Sequence, residues 1–312
     1  MSKLVEREAA PGSTSLGATP ALAVQFFLIP LAVVGMVVLV YGGFRMMLTD
    51  ERAPEEYLSD VRSGGRERRW PAAYELSRLL ANPETEVAHP ELGNALVQAF
   101  EDSKGDDPQV RRYLALAIGR LRNPPSRAGS VLADSLDDPE AETTINVLWA
   151  LAALGDPAVK GDIEARYASA DPGVRKMVVY ALGALGGEAD DGRALVLEQA
   201  LEDVVPDVQW NAAVSLAMLG RNDGEVVLAR MLNREYVERN VTRTPALDAT
   251  LDPASEVMVS GLQAVGVLGS PNLRDEVEAL SHDDESLKVR EVAMRTLEAI
   301  GPGTTPSPVA HQ

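Results

Sequence analysis

Catalysis in this chain would have to come from three histidines and a scatter of carboxylates. His89, His282 and His311 fall in separate stretches, and none stands in a His-Glu pair. His282-Asp283-Asp284-Glu285 sets four possible metal ligands in a row, but consecutive side chains on a helix diverge by about 100°. A helix cap or an exposed turn is the better reading of that run. No Gly-rich phosphate loop, Gly-x-Ser-x-Gly elbow or paired-histidine zinc helix is present. Cysteine is absent, which removes thiolate ligands, thiol nucleophiles and disulfides. The sequence therefore predicts no catalytic residue, no cofactor and no metal.

Binding residues are easier to find. Arg111, Arg175 and Arg290 each hold the second position of similar stretches. Their spacing favours an Asp–Arg ladder between successive repeats over a basic strip for an acidic partner. Asn146, Trp149, Met177, Tyr180 and Asn211 recur at positions four and seven, with Trp210 beside Asn211. Such an aromatic-amide mixture suits a protein-binding face, and packing between repeats is its competitor. Arg66, Arg68 and Arg69 are candidates for contact with anionic lipid headgroups, which the adjacent Glu67 weakens.

Those positions are defined by internal similarity. Seven twelve-residue stretches align without gaps, beginning at 68, 110, 143, 174, 208, 257 and 289. Position nine is always aliphatic: Leu76, Ile118, Leu151, Leu182, Leu216, Val265 and Leu297. Position ten is mostly small, as at Gly119, Gly183 and Gly266. Apolar residues at positions one, five, eight, nine and twelve draw one stripe along a helix. A shorter amphipathic segment precedes each stripe, and Asp-Pro often joins the two. Each unit is a helix hairpin that buries its apolar face only by stacking on its neighbours. The 49-residue step between the fifth and sixth copies predicts an inserted loop near 241–253. The low aromatic content, 4%, agrees with cores of Ala, Leu and Val.

Residues 21–44 carry no formal charge. As a helix they extend about 36 Å, enough to cross a hydrocarbon core of about 30 Å. The run is too long, and its leader too balanced, for a cleaved signal peptide. A single membrane helix is expected over 21–48, with the lipid bilayer as its partner. Lys3 and Arg7 precede it, while Arg45, Arg52, Arg62, Arg66, Arg68 and Arg69 follow. The positive-inside tendency puts the repeats in the cytoplasm, with the N-terminus outside an inner or cell membrane. A disordered leader is expected over 1–20 and a disordered tail over 302–312. The net charge of -18 argues against a nucleic-acid partner.

Asp107-Pro108-Gln109-Val110-Arg111, Asp171-Pro172-Gly173-Val174-Arg175 and the Ala-Leu-Gly-Ala-Leu-Gly run at 181–186 resemble the HEAT-repeat family. Within that family they resemble in particular the short bacterial repeats similar to those of phycobilisome lyases. The resemblance covers about residues 54–301; the copies opening at Thr143 and Val257 lack the Val-Arg pair. It implies an all-α solenoid of about seven hairpins over 49–301. It also implies a scaffold or adaptor for protein partners, as an accessory subunit of a membrane complex. A lyase-like protein holding a pigment or small ligand in a concave groove, or a transient assembly factor, is the alternative. Hydroxylases of the deoxyhypusine type share this architecture and hold iron through His-Glu pairs, which this chain lacks.

Overall fold

The computed structural model describes residues 29–48, 52–185, 191–241 and 252–301. The expected leader and tail, and the insertion apart from Val241, Asp252 and Pro253, lie outside the described residues. The chain divides into two units, Met1–Arg52 and Ala53–Gln312.

In the first unit, helix α1 spans Ile29–Leu48. Its described side chains, residues 31–43, are all exposed. Among the described residues no helix is long and apolar enough to cross a membrane. The segment expected to span a membrane over 21–48 is helical from Ile29 to Leu48, but a membrane-crossing helix is not found there among the described residues, and residues 21–28 lie outside them.

The second unit is all-α, with no strand among the described residues. Its hairpins are α2 (Pro54–Ser63) with α3 (Arg66–Leu79), α5 (Leu92–Asp102) with α6 (Pro108–Gly119), and α7 (Ala128–Ala133) with α8 (Ala141–Leu154). They continue with α9 (Lys160–Ala165) and α10 (Pro172–Ala184), then α11 (Asp191–Ala200) and α12 (Pro206–Met218). The last two are α13 (Glu225–Met231) with α15 (Pro253–Leu268), and α16 (Arg274–Asp283) with α17 (Leu287–Ile300). The repeat count and the second helix of every hairpin match the sequence reading. Two short helices break the period: α4 (Pro83–Ala88) and α14 (Arg234–Asn240).

Local chemistry sets where the second helices begin. Proline occupies the first turn of α6, α10, α12 and α15, where its missing N–H costs nothing. Asp107, Asp171 and Asp252 cap α6, α10 and α15, accepting from the backbone N–H of Gln109, Val174 and Ala254. Gly155 and Gly269 close α8 and α15 at φ 64° and 61°, a region that favours glycine.

The second helices α3, α6, α8, α10, α12, α15 and α17 pack each on the next in one layer. Position nine is fully buried from Leu76 to Val265; only Leu297, in the terminal helix, is half-buried. Close approach depends on position ten. A Cβ built on Gly119 would stand 2.8 Å from Ala150 Cα, and one on Gly183 would stand 2.6 Å from Ser215 Cβ. Polar residues inside the layer are satisfied across it. Ser215 Oγ donates to Val179 O at 3.0 Å, and Thr296 Oγ1 donates to Leu262 O at 3.1 Å. Helix α12 contributes to two core clusters, Val208, Ala212 and Leu216 to one and Trp210, Ala213 and Ala217 to the other.

Candidate functional site

The second-helix layer presents its open side through positions four, seven and eleven, which follow one another at helical spacing. In α8, α10, α12 and α15 position four holds Asn146, Met177, Asn211 and Ser260. Position seven holds Trp149, Tyr180, Val214 and Gln263, and position eleven holds Ala153, Ala184, Met218 and Val267. All twelve are exposed or half-buried, and none carries a charge, in a chain whose charged residues make up 24%. Helix α3 differs at position eleven with Arg78, α6 with Arg120, and α17 carries Arg295 at position seven.

Five of the six expected face residues come together here. Tyr180 is 45% exposed. Trp149 is half-buried, because its ring reaches over Gly119 of the preceding repeat. Asn146 Nδ2 donates to Glu142 O at 2.6 Å and Asn211 Nδ2 to Asp207 O at 2.7 Å, so each amide donor serves its own helix. Trp210 does not belong to the face. It is 3% exposed in the core, and its indole N–H finds no partner among the described residues. One residue along a helix is a turn of about 100°, which carries Trp210 away from the side that Asn211 occupies.

An aromatic group that the sequence reading did not single out as a site lies at the N-terminal end of the layer. Tyr74 and Tyr113 meet edge to face at 5.3 Å between centroids, and Trp70 lies 6.4 Å from Tyr113. Their places at positions three, four and seven were the available signal.

Charges at the edges of the layer are mostly paired across repeats. Arg112 reaches Glu140 at 2.7 Å and also Glu142, Lys176 lies 3.5 Å from Asp207, and Lys288 lies 2.6 Å from Glu256. Behind them runs the Asp–Arg ladder. Arg111 Nε donates to Asp138 at 2.8 Å in a pair almost closed to solvent, with its guanidinium 5.0 Å from the Phe100 ring centroid. Arg175 grips Asp203 through two bonds of 2.7 and 3.0 Å and also donates to Ser169 O and Ala170 O of its own turn. The Arg175 hydrogen bonds hold the Asp203 carboxyl below the usual carboxylate range. Burial, with Asp203 as neighbour, pushes the Tyr167 phenol up to about 12.

Arg69 belongs to this ladder. It occupies position two of the first copy, as Arg111 and Arg175 do in theirs, and it donates to Val61 O and to both oxygens of Asp106. That hydrogen bonding depresses the Asp106 pKa. The expected headgroup contact at Arg69 is thus replaced by a repeat-to-repeat tie. Arg66 is exposed and 3.9 Å from Asp107; Arg68 is exposed, with no side-chain partner among the described residues. Arg290 donates to Asp284 O in its own turn, since the Asp284 carboxylate is taken by Arg234.

Asp283 and Glu285 of the expected turn are exposed, and Asp284 is buried against Arg234. Among the described residues no group of three or more His, Cys, Asp and Glu side chains is placed to hold a metal.

The sequence profile of HEAT repeats matches residues 93–183 and again 129–217. No curated protein matches the chain. Among solved structures, the complex of CpcE and CpcF of phycocyanin lyase from Nostoc sp. PCC7120 is 19% identical, with 79% of this chain and 94% of that one covered at a TM-score of 0.49. A designed armadillo repeat protein in complex with the peptide (KR)4 is 15% identical, covering 80% and 100% at 0.43. Human deoxyhypusine hydroxylase in complex with glycerol is 18% identical, covering 83% and 99% at 0.33.

Proposed function

We propose that this chain is a membrane-anchored scaffold whose second-helix layer docks a protein partner, as an accessory subunit of a membrane complex. The carrying observation is the run of twelve charge-free positions on the open side of α8, α10, α12 and α15. Charge depletion with aromatic and methionine enrichment marks the centre of protein interfaces. A surface that faced only water would have no reason to exclude charge from three consecutive rows.

The anchor is supported by α1, where Leu31, Val33, Val34, Met36, Val37, Val38, Leu39 and Val40 are all more than half exposed. Apolar side chains around residues 31–40 suit a lipid environment, on a helix whose described part is by itself not long and apolar enough to cross a membrane. Arg68, and Arg66 beside it, remain available for the headgroups, and the positive-inside tendency favours a cytoplasmic array. An anchor also raises the local concentration of a partner in the same membrane. On this reading the activity is binding, with no bond made or broken.

Purification of the full chain from native membranes in mild detergent tests the docking function. Tyr180→Glu and Met218→Glu should strip a co-purifying protein while leaving the helical spectrum unchanged. An unchanged partner set would remove the docking face. Protease added to spheroplasts tests the sidedness: the array should survive alongside cytoplasmic controls.

A further inference from the structure

We infer that the partner segment taken by this face is an extended, uncharged, proline-rich stretch of polypeptide lying across the second helices. The inference rests on the docking reading of the same layer. Three features carry it. The first is charge. The twelve positions are neutral, the flanking pairs Lys176–Asp207 and Lys288–Glu256 cancel, and beside α8 Arg112 is shared between Glu140 and Glu142. A charged side chain laid on the three rows of α8, α10, α12 and α15 would lose hydration and find no counter-ion within them. The overall charge of -18 would attract basic segments elsewhere on the molecule and gives them no foothold here.

The second feature is repeat distance. Packed helices stand about 8–10 Å apart. A polyproline II segment has three residues per turn at about 3.1 Å each, so one side of it returns every 9.3 Å or so. One residue in three therefore meets the corresponding row position on each successive helix. A β-strand returns the same side about every 6.7 Å and falls out of step by the second helix.

The third is the chemistry of the rows. Tyr180 and the half-covered ring of Trp149 are flat apolar platforms of the kind that take pyrrolidine rings. With Nδ2 of Asn146 and Asn211 bound to Glu142 O and Asp207 O, Oδ1 of each amide is left as the acceptor. Polyproline II backbone has no internal hydrogen bonds, so the N–H of each non-proline residue is available to it. Little entropy is lost, because the segment is extended before it binds.

The test is fluorescence anisotropy with a labelled peptide of about twelve residues of repeating Leu-Pro-Pro. It is titrated with the full chain in detergent micelles, and protein-free micelles serve as the blank. Repeating Arg-Pro-Pro and Glu-Pro-Pro peptides are the charged comparisons. Saturable binding of the Leu-Pro-Pro peptide is expected, at least about tenfold tighter than either charged one. Raising salt from about 50 to about 500 mM should change it by less than about twofold. Tyr180→Glu and Met218→Glu should each weaken it about tenfold or more, and Leu195→Glu, on the exposed side of α11, should not. Preference for the arginine peptide, steep salt dependence, equal loss with Leu195→Glu or no saturable binding would each overturn the inference. If the peptides fail while Tyr180→Glu and Met218→Glu still strip the native partner, the segment chemistry falls and the docking face stands. If those variants keep the native partner, the docking face itself falls.

Discussion

The array ties its repeats together in two ways. Between α3 and α12, the arginines at position two of α3, α6 and α10 reach the aspartate in the next hairpin's turn, Arg69 to Asp106, Arg111 to Asp138 and Arg175 to Asp203, while α8 and α12 carry Thr144 and Gln209 there. From α13 to α17 position two holds Met258 and then Arg290, which bonds only the backbone O of Asp284 in its own turn, and the tie to the turn carboxylates comes from Arg234 of the extra helix α14. Arg234 donates to both oxygens of Asp284, at 3.0 and 2.7 Å, and to Asp252 and Ser255 at the start of α15. One guanidinium thus joins the stem before the inserted loop, the stem after it and the following turn. The contrast shows that the interaction belongs to the turn aspartate, which needs an arginine from some direction, and not to a fixed position in the repeat. Insertion in the sixth unit is compatible with stacking because its own helix restores the missing tie.

The sharpest way to break the comparison is to remove one arginine from each region. Arg111→Ala leaves Asp138 nearly buried with its counter-ion gone and strips the cation from the Phe100 ring. A loss of about 3–5 kcal/mol is expected in urea unfolding, the range for an orphaned buried charge. Arg234→Ala orphans Asp284, whose side chain is 2% exposed, and should cost a similar or slightly smaller amount. The two should differ in where the loss appears. Hydrogen exchange should rise through α6–α8 in the first variant and through α15–α17 in the second. Uniform exchange in both would mean that the array unfolds as one unit and that the local ties have no regional meaning.

Packing of position ten separates the regions next. Gly183→Ala would bring a methyl within 2.6 Å of Ser215 Cβ and 3.0 Å of its Cα, so the helices must part. The expected cost is about 1–3 kcal/mol, read from the urea midpoint, and Gly119→Ala should behave alike.

Acid titration probes the carboxylates of both regions together. Asp106 and Asp203 have folded pKa values lowered by hydrogen bonds from Arg69 and Arg175. At Asp252 burial opposes the shift, and bonds from Ser255 and Arg234 outweigh it. A lowered folded pKa gives stability that is complete above the unfolded value of about 3.9. It is lost as pH falls from there through the folded value. Asp203→Asn should therefore flatten the acid limb of stability against pH, measured by urea midpoints. The Tyr167 phenol, raised to about 12, works at the other end: its contribution is full below about 10 and lost as pH climbs through 12. Tyr167→Phe should flatten that alkaline limb.

Much of this was legible because stacking repeats one constraint seven times. Position nine must be buried wherever a second helix has neighbours on both sides, and it reads as aliphatic in every copy. The illegible parts are those that occur once. Helix α14 and the reach of Arg234 follow no period, so no alignment of copies could expose them. Glu86, which accepts from the backbone N–H of Arg122 and Asn123, sits in the equally unrepeated α4. Arg69 was misread for a different reason. Its nearness to the apolar run outweighed its place at position two, although that place paired it with Asp106. For the proposed docking face, the sequence reading keeps Trp210 with Asn211 although helical phase separates them, and only the layer itself reveals that its three open rows lack charge.

The smallest expected effect sharpens the comparison most. Gly266 holds position ten in the C-terminal region, yet a Cβ there would meet Ala299 and Thr296 only at 3.8 Å, ordinary contact distance. The helices α15 and α17 therefore do not need the glycine that α10 and α12 require. Alanine is the better helix former by about 1 kcal/mol, so Gly266→Ala should stabilise the chain by about 0.5–1 kcal/mol. That gain is small but opposite in sign to the loss at Gly183. Matching losses at both glycines would mean that close approach is uniform along the layer, and the two regions would then differ only in where their arginines come from.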